Sequence, residues 1–398
     1  MPILLHKNYL GTEAHMIISG DQVRWTSSID SSEDFVLGYE GMPNSLEPLL
    51  RLYGIEIPDF VPEKFRKSFK ELNGPSLIPW RFVLPKEVFK KNFKEYVTDL
   101  AKIEGLFAES KYPSFFVDSN SLFPMLQRAK VDKVLLQKLV RANDSHVLRH
   151  MLSGSDDSLL NVPLYDRVST KTGRLTIKEG PQVLTLKKEF RSIFAPKKAN
   201  SKLFEIDFVS LEPRVALNFA NVHASNDVYL SFLETTGVKV SRDTAKLAVL
   251  CSLYGAGNAR LNKLLATESV KMNARQLVRA VSNYFKLSDL KHYLFQQAKE
   301  GMIQNYFGRP IEVDNVRESI LINNYLQSTA ADVAIAGFSH FVKKFSKKCH
   351  PLFVIHDALI IDVDNEHLEE IKRYVYKGYH VSGLGNFPLK IKEFSHHE

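Results

Sequence analysis

The sequence predicts an α+β fold, with strands and helices in separate stretches of chain. Three observations predict it. Leu203–Ala220 (LFEIDFVSLEPRVALNFA) reads as a buried strand, a polar turn and the opening of a helix. Phe353–Val363 (FVIHDALIIDV) is two β-rich apolar runs around His356 and Asp357, the pattern of a hairpin with its polar residues at the turn. Long stretches such as Lys86–Ile103 carry apolar residues at helical spacing instead.

The 398 residues are enough for two or three domains with a substantial core. Hydrophobic residues make up 44% and charged residues 25%, which is the balance of a globular protein rather than a disordered one. The formal net charge of +8 favours a polyanionic partner. Cys251 and Cys349 are too few for a disulfide framework or a zinc cluster, which points to a reducing compartment. Met1–Leu5 is broken by His6 and Lys7 too soon for a signal peptide, and no apolar run is long enough to span a bilayer. No internal repeat is visible.

Met16–Ser19 and Phe35–Tyr39 are short β-like runs and Leu46–Tyr53 has helical character, so residues 1–75 read as a small mixed region. Asn73–Pro79 (NGPSLIP) is a loop and a candidate boundary. In Lys86–Ile103, Val88, Phe89, Phe93, Val97 and Leu100 share one face and lysines take the other. That basic face suits a phosphate backbone, and an ordinary solvated helix surface is the competing reading. Lys130–Met151 is helical with an interruption near Asn143–Ser145, and Ser153–Ser158 (SGSDDS) ends it.

The chemistry concentrates after Tyr165. Asp207 closes an apolar strand, where a carboxylate is costly unless it is solvated, paired or metal-bound. Asp357 is a second such acid. Two strand-end aspartates that meet in space suit a two-metal site for phosphoryl transfer. In Arg242–Gly255 (RDTAKLAVLCSLYG), Arg242, Lys246 and Leu250 recur every four residues, and Leu253–Tyr254 continue that side. Two cations on a stripe that turns apolar and aromatic suit a nucleoside triphosphate, although by itself the segment also reads as an amphipathic helix with two surface cations. Gly255 and Gly257 then break the helix. Asn323–Phe338 begins polar and becomes small and apolar, with Asn323 and Gln327 one turn apart. Thr172–Leu175 (TGRL) and Phe307–Arg309 (FGR) are weak signals individually.

In this order and spacing these segments resemble the family A DNA polymerases, the group of bacterial DNA polymerase I and related phage replicases. The resemblance runs from about Tyr165 to the C-terminus. IDFVSLEPRVA is similar to the family's D-Y-S-x-I-E-x-R, RDTAK…LYGAG to R-x-x-x-K…Y-G, QSTAAD to Q-G-T-A-A-D, IHD to V-H-D-E, and TGRL to T-G-R-L. Five partial matches in the family's order are hard to obtain by chance.

The resemblance implies a right-hand polymerase fold with an antiparallel-sheet palm, helical fingers and a helical thumb. Residues 1–75 would be an accessory region or exonuclease remnant, 76–160 the thumb, and 161–398 palm and fingers, with fingers at about 226–310. It implies a primer-extending DNA polymerase that uses two Mg²⁺ ions, with Mn²⁺ able to substitute. Asp207, Asp357 and the Phe208 carbonyl would hold metal. Arg242 and Lys246 would bind the triphosphate, Lys246 also passing a proton to pyrophosphate. Glu212 would gate against a 2′-hydroxyl, Leu250 would lie at the sugar, and Tyr254 and Gly255 would shape the nascent pair. Arg174, Asn323, Gln327 and His356 would contact primer–template, and Arg214 would support the Glu212 region. The implied partners are primer–template DNA and deoxynucleoside triphosphates, with a processivity factor or helicase as a further candidate and no membrane. The implied setting is a bacterial or phage-infected cytoplasm, with an organelle as the other option.

Several positions depart from the family pattern. Leu250 stands where the pattern has Phe or Tyr, Ala358 where it has Glu, and Ser328 where it has Gly. The link from Phe219 to Arg242 is short and has no match for the family's histidine segment. No D-x-E occurs in the N-terminal strands, so proofreading is not expected. The competing readings are a catalytically inactive DNA-binding replication protein and a nucleotide polymerase with relaxed sugar selection.

Overall fold

The computed structural model describes residues 2–20, 22–30, 35–37, 46–55, 84–223, 225–255, 259–268, 270–314 and 317–394. The expected loop Asn73–Pro79 and the second helix-breaking glycine, Gly257, lie outside these residues. The chain forms two compact units, Met1–Pro124 and Met125–Glu398. Their boundary falls inside the stretch 76–160 that was expected to act as one region. Residues beyond it are tied into the second unit, where Lys130–Val131 pairs with Phe194–Ala195 and Gln127 donates its N–H to the Pro351 carbonyl.

In the first unit, a four-stranded sheet runs in the order Gln22–Thr26, His15–Ser19, Ile3–Leu5, Phe35–Leu37. Its pairs are antiparallel except the last, which is parallel. Ile3, Leu4, Leu5 and Met16–Ile18 are buried in it. The helix Lys86–Ala108 changes character along its length. Residues 86–99 contain no buried position among those described, whereas Leu100, Ile103, Glu104 and Phe107 are buried. Glu104 anchors that second half by accepting the Gly20 N–H.

The second unit is built around an antiparallel sheet in the order Cys349–Ile355, Ala358–Asp364, Ser201–Phe208, Leu389–Glu393. Its two central strands are buried along nearly their whole length. The 28-residue helix Glu318–Phe345 lies against one face, where the Phe208 and Phe338 rings stand 5.4 Å apart. Gly337 makes that approach possible, since a Cβ there would sit 2.8 Å from the Phe208 ring and 3.1 Å from Tyr379. A cluster including Leu136, Leu148, Met151, Phe190, Leu203, Phe353, Ile360 and Phe394 covers other residues of the sheet. It contains the helices Lys133–Ala142 and His146–Ser153, each started by a side-chain cap, Asp132 and Ser145. The second cap falls in the expected interruption at Asn143–Ser145.

Six helices, Leu211–Phe219, Val228–Thr236, Arg242–Tyr254, Ala259–Thr267, Ala274–Tyr284 and Leu287–Gln297, lie between the strand Ser201–Phe208 and the long helix in sequence. The mixed helix and antiparallel-sheet architecture agrees with the α+β expectation. Both cysteines are free and buried. Among the described residues no helix is long and apolar enough to cross a membrane.

Candidate active site

Asp207 and Asp357 reach neighbouring positions on the central sheet. Asp207 pairs across the ladder with Ala358, and the Asp357 carbonyl accepts the Phe208 N–H at 3.5 Å. Each acid is followed or preceded by a left-handed residue. Ser210 (φ 54°) turns the chain from the strand into the helix Leu211–Phe219, and His356 (φ 53°) makes the tight turn of the hairpin. Such backbone is costly for residues with a Cβ and is found where the surroundings enforce it.

The helix after the first strand brings Glu212 back over the acids. Its carboxylate accepts from Arg174 Nη2 at 3.1 Å and hydrogen-bonds the Tyr254 hydroxyl. Burial and the adjacent Glu212 charge hold that phenol well above its ordinary range, so Tyr254 stays protonated. Arg174 belongs to the TGRL turn, as anticipated. The turn is fixed from below by Arg309, which is fully buried and donates to the Arg167 and Thr170 carbonyls. Gly173 lies on that guanidinium, where a Cβ would meet Arg309 Cζ at 2.9 Å.

The carboxylates differ in their counter-charges. Asp207 pairs with Lys390 at 2.9 Å. Glu205, two residues earlier on the strand, pairs with Arg191 at 3.0 Å and Lys392 at 3.5 Å. Among the described residues no cation pairs with Asp357. Burial, then the charges of Glu212 and Asp207, push its carboxyl up to about 7, with Arg174 opposing. Burial also raises Asp207, and Lys390 opposes that rise. His356 is lowered by burial and by Arg174 and Arg191. His356, Asp357, Arg174 and Leu175 line a cleft of about 130 Å³ with Ala331, Ala334 and Ile335 of the long helix.

The remaining expected residues lie further along the same elements. On the helix Arg242–Tyr254, the opposite side is buried through Ala245, Ala248, Val249 and Leu253. The stripe Arg242, Lys246, Leu250, Tyr254 is exposed at its start and half-buried at its end. Arg242 is about 18 Å along the axis from Tyr254, so it does not touch the acids. Its Nε donates to Asp227 at 2.6 Å and its guanidinium lies 5.2 Å from the Tyr229 ring centre. Lys246 has no ion-pair partner among the described residues. Gly255 caps the helix in left-handed backbone (φ 69°). Gln327 donates to Asn323 at 2.6 Å, one turn away on the long helix. Arg214 is buried and donates to the carbonyls of Val209, Ser225 and Asn226, clamping the loop that follows its helix.

Two groups of residues escaped the sequence reading. Lys390 was one, although the alternation in Leu389–Glu393 (LKIKE) marks a strand with lysines on one face. The other is a buried network in which Asp332 pairs with Arg167 at 2.6 Å and accepts from Asn305 at 2.7 Å, while Asn305 also binds Ser328. Ser328 and Asp332 of QSTAAD and Arg309 of FGR therefore have structural partners.

Among the described residues no group of three or more His, Cys, Asp or Glu side chains is arranged to hold a metal ion unaided. Asp207 and Asp357 are a smaller group, two carboxylates at one end of the sheet. Asp357, in no ion pair among the described residues and set among the charges of Glu212 and Asp207, is suited to a divalent cation as its counter-charge.

A model of DNA polymerase family A matches residues 86–392, well over half of the chain. A protein named arginine–tRNA ligase from Orientia tsutsugamushi (strain Boryong) is 26% identical over 200 residues, covering 48% of this chain and 30% of that protein. The solved POL domain of Pol1 from M. smegmatis, in complex with DNA primer-template and dNTP, is 16% identical with a TM-score of 0.47, over 87% of this chain and 62% of that one. The chain thus spans less than two thirds of either relative's length. On the family match, the chain belongs to DNA polymerase family A.

Proposed function

We propose that this chain is a template-directed DNA polymerase, which adds deoxynucleotides to a primer 3′ end by two-metal phosphoryl transfer and lacks proofreading. One observation carries the reading: Asp207, at the end of one strand, and Asp357, in the turn that opens the strand beside it, are distant in sequence and meet at one end of the sheet.

Asp207, Asp357 and the Phe208 carbonyl are the groups that would hold two Mg²⁺ ions, or Mn²⁺ in their place. Bound there, such ions supply Lewis-acid activation of the primer hydroxyl and charge stabilisation at the departing pyrophosphate. The chain's own side chains bind and orient. Lys246, exposed and with no ion-pair partner among the described residues, and Arg242 take the triphosphate, and Lys246 donates the proton to the leaving pyrophosphate. Tyr254 and Arg174 hold Glu212 in one place, which lets its carboxylate exclude a 2′-hydroxyl. Leu250 packs at the sugar, and Tyr254 with Gly255 lies at the nascent pair. Arg174, His356, Asn323 and Gln327 contact the primer–template end, and Arg214 keeps the Glu212 helix in register.

We assign residues 76–160 to the thumb, 161–398 to palm and fingers with fingers at about 226–310, and 1–75 to an accessory region or exonuclease remnant. The described strands of that region, Ile3–Leu5, His15–Ser19, Gln22–Thr26 and Phe35–Leu37, carry no acid.

Primer extension on a defined primer–template with Mg²⁺ tests the reading, using deoxynucleotides or ribonucleotides and an Asp207→Asn control. Deoxynucleotide extension lost in the control is expected. Preferential ribonucleotide use would replace it with a polymerase of relaxed sugar selection. Duplex binding without extension would favour an inactive DNA-binding protein. A mismatched 3′ end should remain uncleaved, and its excision would refute the lack of proofreading.

A further inference from the structure

Asp207 has two cross-strand neighbours, Ala358 on one side and Lys390 on the other. Alanine brings no charge. Lys390 brings an ammonium, 2.9 Å from Asp207 Oδ2. Lys392, two residues on, is occupied with Glu205, which Arg191 also holds. Glu212 has Arg174. Among the described residues every acid around the site except Asp357 is in an ion pair, and the lysine that pairs with Asp207 has a side chain 52% exposed.

We propose that Lys390 is a resident counter-ion for the metal site, a positioning residue that neutralises Asp207 until a divalent cation displaces it. This rests on the reading of Asp207 as a metal ligand. A divalent cation that takes Asp207 Oδ2, the oxygen that Lys390 holds, displaces the ammonium from it. Lys390 then stays near the site as a like charge. It weakens the resting affinity for metal and keeps the carboxylate site ordered when metal is absent. With Ala358 where the family pattern has glutamate, the site also lacks one acid that would offset the lysine.

The experiment is Mn²⁺ binding to the full chain without DNA or nucleotide, read as loss of the free-ion electron paramagnetic resonance signal. The wild type is compared with Lys390→Met, Lys390→Arg and Asp207→Asn. Removing one like charge at a half-exposed position should tighten binding by about tenfold in Lys390→Met. Lys390→Arg, which keeps the charge and the pair, should bind as the wild type does, and it covers the case in which the methionine variant folds poorly. Asp207→Asn should weaken binding. Unchanged or weaker binding in folded Lys390→Met, with Asp207→Asn still weakened, overturns the role of Lys390 alone. Equal affinity of Asp207→Asn and the wild type overturns the metal-ligand reading and this inference with it. Tighter binding in Lys390→Arg would also overturn it, because charge would then not be the cause.

Discussion

Asp357 is where the demands of folding and of chemistry oppose each other. An unfolded aspartate titrates near 3.8, and this one titrates at about 7 when folded because burial and two neighbouring acids resist its charge. Between those pH values the unfolded chain loses the proton while the folded chain keeps it. Stability therefore falls as pH rises through that window, and the deficit is complete above pH 7. Asp357→Asn removes the deficit. In urea denaturation it should exceed the wild type by about 4 kcal/mol at pH 8, and the gain should shrink toward pH 4. A gain as large at pH 4 as at pH 8 would show that the carboxylate's charge is not its origin. The same variant should lose primer extension by about 10²–10³-fold or more, as expected when charge stabilisation of the reaction is removed. Leu250 supports a second prediction. It lies half-buried between Lys246 and Tyr254 and has no hydroxyl to substitute for a missing 3′-hydroxyl. Dideoxynucleotides should be used far less efficiently than deoxynucleotides, and a ratio of incorporation efficiencies near one would contradict this.

At the level of elements, the sequence was readable where chemistry interrupts a local period. An acid at the end of an apolar strand, a His-Asp turn between two β-rich runs, and cations four residues apart are visible without the fold, and each lies on the element expected for it. Partners made by long-range pairing were not readable. Lys390 meets Asp207 only because the last strand adds to the sheet edge, and Arg167, Asn305 and Asp332 meet only because a turn, a hairpin and the long helix converge. Nothing local in TGRL or FGR announces that network. Its cost when broken is predictable. Asp332 and Arg167 are both almost fully buried, so Asp332→Ala leaves an uncompensated guanidinium in the interior and should cost about 3–5 kcal/mol in chemical denaturation. A loss below 1 kcal/mol would mean the network is dispensable. Gly337 makes the reverse point about propensity. Alanine is favoured over glycine in a helix by about 1 kcal/mol, yet Gly337→Ala should destabilise because its methyl would overlap Phe208 and Tyr379. Since Phe208 adjoins Asp207, the substitution should also slow nucleotide addition.

Charge at the scale of the whole chain is distributed unevenly. The net charge is +8, yet the neighbourhood of Asp207, Glu205, Glu212 and Asp357 is rich in acids, so the excess of cations that a polyanion meets must lie elsewhere. The first half of the helix Lys86–Ala108 is one such place, with Lys86, Lys90, Lys91 and Lys94 all exposed. Lys90 is paired with Glu87 three residues before it, whereas Lys91 and Lys94 have no acidic partner among the described residues. If these lysines contact duplex phosphates, each releases a condensed counter-ion on binding, and the logarithm of affinity falls with the logarithm of salt at about 0.9 per contact. The double variant Lys91→Ala, Lys94→Ala should therefore bind primer–template with a salt slope shallower by about two. Its rate of addition at saturating DNA should match the wild type, because neither lysine belongs to the unit that holds the acids. Fluorescence anisotropy across a salt series reads the slope directly. An unchanged slope would return this helix to the status of an ordinary solvated surface, and the thumb assignment would lose its physical basis.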